Sequence, residues 1–192
     1  MTKTEICNLA LARLGITPID SIDDTTSNVA KLCKSLFTFV LSRLLSQYSW
    51  GFAEVVANLN LLALEDDVYD YVYAYPASAL RLSAVLDYTA TQVPEYALKN
   101  IDDLYCIVTN EENAKGRYVV LPTNLNVLPS LFVNTLKFAL ALDLHTGLKK
   151  EEDSVPLLMQ EYRTALQLAV AAHAREKSNT TGTTSCRYID AR

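Results

Sequence analysis

The stretch Val29-Ala-Lys-Leu-Cys-Lys-Ser-Leu-Phe-Thr-Phe-Val-Leu-Ser-Arg-Leu-Leu-Ser-Gln-Tyr48 decides the fold. Val29, Leu32, Cys33, Leu36, Phe37, Val40, Leu41, Leu44, Leu45 and Tyr48 recur at i, i+3, i+4 and i+7, one continuous apolar stripe along a helix. Ser35, Thr38, Ser42, Arg43 and Ser46 take the other face. The spacing predicts a helix over residues 26–48, with Trp50-Gly51 just beyond its end. Such a stripe needs apolar partners, and other segments must supply them.

Upstream, Thr2 and Glu5 form a Thr-x-x-Glu capping box ahead of Ile6, Leu9, Ala10 and Leu14, and Gly15 closes this short helix. Residues 16–24 hold Pro18 and three aspartates and read as a loop. Downstream the period changes from 3.6 to 2. Tyr69, Tyr71, Tyr73 and Tyr75 alternate with Asp70, Val72 and Ala74, and Leu80, Leu82, Ala84 and Leu86 alternate with Arg81, Ser83 and Val85. Residues 104–108 and 118–121 are further short runs rich in aliphatic and β-branched residues. Turn residues separate them, so residues 52–122 predict one small antiparallel sheet of five or six strands. The tyrosine ladder reads as part core and part interface.

Helical spacing returns at Pro129, a first-turn proline. Residues 131–144 are apolar almost all round, which predicts a central, surrounded helix ended by Gly147. Ser154 and Pro156 open a fourth helix whose face carries Val155, Leu158, Met159, Tyr162, Ala165, Leu166, Ala169 and Val170 and which runs out near Lys177. The Ser/Thr/Gly-rich residues 178–192 bury too little to order themselves. The expected fold is therefore α+β: four main helices forming a bundle from residues 1–51 and 123–177, an inserted β subdomain over 52–122, and a flexible C-terminal tail over 178–192.

Composition narrows the function. The chain has 192 residues, 50% of them hydrophobic, and a net charge of −5. That is enough to bury a core, and it argues against a general nucleic-acid binder, whose surface is basic. Charge is uneven. Residues 61–113 hold ten acids against Arg81 and Lys99, whereas the segment from Arg175 onward is net positive. No Walker pattern, GxGxxG or GxSxG occurs. Cys7, Cys33, Cys106 and Cys186 are isolated and read as small hydrophobes rather than a disulfide framework. With no signal-peptide core and no run of about 18 apolar residues, the sequence predicts a soluble protein made in a reducing cytoplasm.

His145 and His173 fall on consecutive helices and at about 1.5 Å of rise per residue are too far apart to share a metal. The acidic groups Asp66-Asp67, Asp102-Asp103, Glu111-Glu112 and Glu151-Glu152-Asp153 suit turns, and none matches a calcium loop. No catalytic residue, cofactor site or metal site is assigned.

Several elements, in order, resemble a known family. These are Ile6-Cys-Asn-Leu-Ala-Leu-Ala-Arg-Leu-Gly15, an Asp-rich turn, a long helix ending Tyr48-Ser-Trp-Gly-Phe-Ala53, then Tyr75-Pro-Ala-Ser-Ala-Leu-Arg81-Leu, and a polar tail ending Ile189-Asp-Ala-Arg192. The chain resembles the head-to-tail adaptors of short-tailed bacteriophages, the tail tubular protein A family. The resemblance implies a helical bundle with an embedded β region and a structural, non-enzymatic role in the virion, at the head–tail interface. It implies a ring of twelve copies that binds the portal protein, carries the tail nozzle protein and lets genomic DNA pass without specific binding, with no membrane partner. It also implies that the tail orders in clefts between portal subunits. Tyr188 and Ile189 would be apolar anchors, Arg187 and Arg192 charged contacts, and Asp190 lies between them.

Two other classes compete. A hydrolase acting on cell-wall or surface polysaccharide needs two carboxylates roughly 5–10 Å apart in a cleft. A helical regulator needs an enclosed apolar pocket for a small ligand.

Overall fold

The structure, a computed structural model, describes residues 1–148 and 155–178. It is mixed α and β, with four helices and two three-stranded antiparallel sheets. The described chain divides into two compact units, Met1–Cys33 with the described residues from Leu128 onward, and Lys34–Val127. Of the expected flexible tail only Ser178 falls within the described residues. Residues 179–192 lie outside the described residues, as does Ser154.

In the first unit, α1 (Lys3–Arg13) begins at the predicted capping box. The Thr2 hydroxyl accepts from the Glu5 N–H at 3.1 Å, and the Glu5 carboxylate accepts from the Thr2 N–H at 2.7 Å. At the other end Gly15 takes φ +64°. Its N–H reaches the Ala12 carbonyl and the Ile16 N–H reaches Leu11, which satisfies two carbonyls the helix leaves open. The buried face is Ile6, Cys7, Ala10 and Leu11, while Leu9, expected inside, is exposed. The Asn8 carboxamide then pairs with both the N–H and the carbonyl of Ile19 at 2.9 Å, pinning the aspartate-rich loop so that Ile19 and Ile22 are buried.

Helix α3 (Ser130–Gly147) starts after Pro129, buries Phe132, Leu136, Ala139, Leu140 and Leu144, and packs against α1 and α4 (Val155–Ser178). It is central, as its composition predicts. Helix α4 buries Leu158, Ala165, Ala169 and His173. Met159 is exposed, so the buried stripe is narrower than expected. Arg13 of α1 and Glu161 of α4 form an ion pair at 2.8 Å. Cys7 and Cys33 are buried free thiols, and the pKa of Cys7 is pushed up by its hydrogen bond with Cys33 and by burial.

Helix α2 (Asn28–Gln47) contributes residues to both units. The Ser27 hydroxyl caps it by accepting from the Ala30 N–H at 3.2 Å. The predicted stripe is inside, with Cys33, Phe37, Val40, Leu41, Leu44 and Leu45 all buried.

The β region differs from the expected single sheet. One sheet has the order β1 (Glu54–Asn58), β6 (Lys115–Val120), β3 (Ala79–Leu86). The other has the order β2 (Tyr71–Ala74), β5 (Leu104–Thr109), β4 (Tyr96–Ile101). Between them lies a core of Leu59, Tyr73, Val85, Ile107 and Ala114, edged by Tyr71, Tyr75, Leu82 and Tyr96. The other face of the second sheet, with Val72, Cys106 and Val108, is covered by Leu62, Leu64 and Tyr69. Two layers satisfy strands that are apolar on both faces, which one open sheet could not do.

Gly15 tests the helix stop without a packing complication, because a Cβ there meets nothing within 4 Å. Gly15→Ala is expected to cost about 1 kcal/mol, the price of a side chain at positive φ, and Gly15→Asn less. Urea unfolding at constant m-value measures both.

Candidate functional site

Two features of the Lys34–Val127 unit bring distant residues together. The first is the end of α2. Trp50 is almost fully buried, and its indole N–H donates to the Leu44 carbonyl at 3.0 Å. Tyr48 meets its ring edge-on with centroids 5.2 Å apart, and Phe52 lies at 5.8 Å. Arg81, on β3, reaches the same place. Its guanidinium donates to the Ser46 carbonyl at 3.5 Å and to the Ser49 hydroxyl, which also touches the Ser83 hydroxyl at 3.3 Å. A cation here suits the open carbonyls and negative end of a helix C-terminus. Tyr75 completes the arrangement, because its phenol oxygen accepts the Leu82 N–H at 3.1 Å. Burial raises the pKa of that phenol.

The second feature is a cleft of about 480 Å³ at one end of the two sheets. Leu59, Tyr73 and Ala114 are its apolar, buried lining. Asn58, Tyr71, Tyr88, Glu112, Asn113 and Lys115 supply its polar groups. Tyr73 shapes it. Its hydroxyl donates to the Glu111 carbonyl at 2.9 Å and accepts the Ala114 N–H at 3.3 Å, so the β5–β6 loop is tied to the core. The Tyr71 phenol has its pKa raised, chiefly by the Glu112 carboxylate and then by burial, with Asp70, Tyr73 and Glu111 adding. Tyr88 stands on a loop held by Asp87, whose carboxylate accepts from the Thr89 hydroxyl and from the N–H groups of Thr91 and Gln92 at 2.8 Å. These bonds hold the Asp87 pKa down at about 2.

The acidic pairs sit mostly where turn chemistry wants them. Asp102 and Asp103 both take positive φ and form the two-residue turn of the β4–β5 hairpin. Asp66 accepts the N–H groups of Val68 and Tyr69 and pairs with Lys99 at 2.6 Å, which lowers its pKa. Glu151, Glu152 and Asp153 lie outside the described residues. His145 and His173 are both buried, and among the described residues no group of three His, Cys, Asp or Glu side chains is placed to hold a metal. No helix among them is long and apolar enough to cross a membrane. Arg187, Tyr188, Ile189, Asp190 and Arg192, assigned to the portal-docking tail, lie outside the described residues, as does Cys186.

Asn58, Tyr88, Asn113 and Lys115 were not singled out by the sequence. They come from three separate segments, the end of β1, the loop after β3 and the residues around the start of β6, and only the two-sheet packing unites them. No protein-family model and no curated protein matches the chain.

Tyr73→Phe removes the hydroxyl and leaves the buried Ala114 N–H without its acceptor, so it is expected to cost about 1–3 kcal/mol. Chemical denaturation checks this, and amide exchange of residues 111–114 is expected to quicken. Asp87 sets a pH dependence. Its folded pKa of about 2 lies below the ordinary 3.8, so the unfolded chain protonates first as pH falls. Its stabilisation is complete above the ordinary value and is lost as pH falls towards about 2. Thermal midpoints across this window are expected to fall less steeply in Asp87→Asn than in the parent.

Proposed function

We propose that the chain is a structural head-to-tail adaptor of a short-tailed bacteriophage. In this reading it is not an enzyme. Its helices form a four-helix bundle, twelve copies form a ring beneath the portal, the nozzle protein attaches below, and DNA passes through without specific contacts. Residues 178–192 act as a flexible tail that orders between portal subunits.

The observation that carries the reading is the junction at the end of α2. The resemblance rests most heavily on Trp50-Gly-Phe-Ala53 and Tyr75-Pro-Ala-Ser-Ala-Leu-Arg81. These two motifs are distant in sequence, yet Arg81 reaches the Ser46 carbonyl and the Ser49 hydroxyl one residue before Trp50. Fastening a β insertion to the end of a helix is what a bundle with an embedded β region requires of such motifs. The acidic composition of residues 61–113 also suits a protein past which DNA must slide. A loose, mildly basic tail suits coupled folding and binding on a late-assembling partner.

Size-exclusion chromatography of the full chain with the portal ring of the same phage is the test. Full-length protein is expected to co-elute with the ring, and the chain ended after Ser178 is expected to lose at least tenfold in affinity, about 1.4 kcal/mol. Equal binding by both would remove the tail mechanism, and no binding by either would overturn the adaptor assignment.

A further inference from the structure

We propose that the cleft beside Tyr71 and Tyr88 is a binding site for a neutral carbohydrate. At about 480 Å³ it falls within the usual range for small-ligand sites, and it is open to solvent on one side. Its chemistry is that of a surface meeting a ligand both apolar and rich in hydroxyls. The Tyr71 and Tyr88 rings supply flat amphipathic surfaces against which the C–H face of a sugar ring can lie. Tyr88 is 66% exposed, so its ring is open to a ligand entering the cleft.

The polar groups match the second half of that description. Asn58 and Asn113 each offer a donor pair and an acceptor, Glu112 offers acceptors and Lys115 donors. Among the described residues, the side chains of Asn58, Asn113 and Lys115 are not engaged in a hydrogen bond or ion pair elsewhere in the chain. Vicinal hydroxyls, each donor and acceptor at once, satisfy such a mixed set. Charge selects the class. Glu112 and Lys115 balance within the lining, and Asp70 and Glu111 stand close enough to act on Tyr71. Those further carboxylates leave the surroundings net acidic, so an acidic sugar is repelled, whereas a neutral one bears no charge for them to oppose. The floor is prearranged, because Tyr73 holds the 111–114 loop and Asp87 holds the loop bearing Tyr88. Recognition here is independent of whether the chain assembles into a ring.

Saturation-transfer NMR on the full chain, with cellobiose, lactose and N,N′-diacetylchitobiose as probes, tests the site. Digalacturonic acid and arginine methyl ester serve as anionic and cationic comparators. At least one neutral disaccharide is expected to bind at millimolar concentration and to shift the amides of Tyr71, Tyr88 and Asn113, with digalacturonic acid weaker. Tyr88→Ala is expected to weaken that binding about fivefold, while Tyr88→Phe keeps most of it. Glu112→Gln, also on the surface, is expected to narrow the gap between neutral and acidic probes. No shift with any neutral disaccharide would overturn the proposal. So would unchanged affinity in Tyr88→Ala, or binding of arginine methyl ester in preference to every sugar.

Discussion

Tyr73 carries the β region. Its ring is the largest side chain in the core between the two sheets, and its hydroxyl spans from that core to the loop joining β5 to β6. A phenol is unusual in doing both: it buries apolar area while keeping one polar atom that must find partners. Here the partners are backbone groups of Glu111 and Ala114. One residue therefore joins the core between the sheets to the loop, and the cleft takes its floor from the same contact. Gly116 shows how close the fit is, because a Cβ there would come within 2.7 Å of the Leu59 side chain in the same core.

The helices were legible because a 3.6-residue period leaves little room for another reading. The caps at Thr2 and Gly15 and the stripe of α2 sit where the residue types place them. The strands were only partly legible. β1 and β4 show no clean alternation, and β3 breaks the alternation it does have. Register shifts fall between Ala79 and Arg81 and between Leu82 and Ala84, and beyond them Ala84, Val85 and Leu86, in unbroken register, are all buried, so both faces of the strand are covered there. An extra residue in one strand reverses which side the next ones face, and no side-chain pattern announces it. The tyrosine ladder shows the same limit. Tyr71, Tyr73 and Tyr75 lie towards one core as alternation demands, but Tyr69 precedes the strand and packs on the opposite face.

Sites were harder to read than elements. The acidic pairs at Asp66-Asp67 and Asp102-Asp103 stood out in the sequence and proved to be turn chemistry. The cleft residues did not stand out, because an asparagine or a lysine is informative only once its neighbours are known. Arg81 lies between these cases. Its motif was visible, but its role, closing the last turn of α2, depends on a contact across more than thirty residues.

The sheet order leaves β1 at an edge, with Val55 and Val56 turned to solvent. Such a margin is a template: its outward backbone groups can accept a strand from any chain, and two β-branched side chains favour the join. β2 is shielded from that fate, since residues 60–62 run beside it and bridge to Tyr73. Among the described residues no strand or bridge pairs with the outer side of β1. Its brevity, five residues, limits how firmly a stray strand can hold, one of the ways a sheet margin is kept from joining its copies.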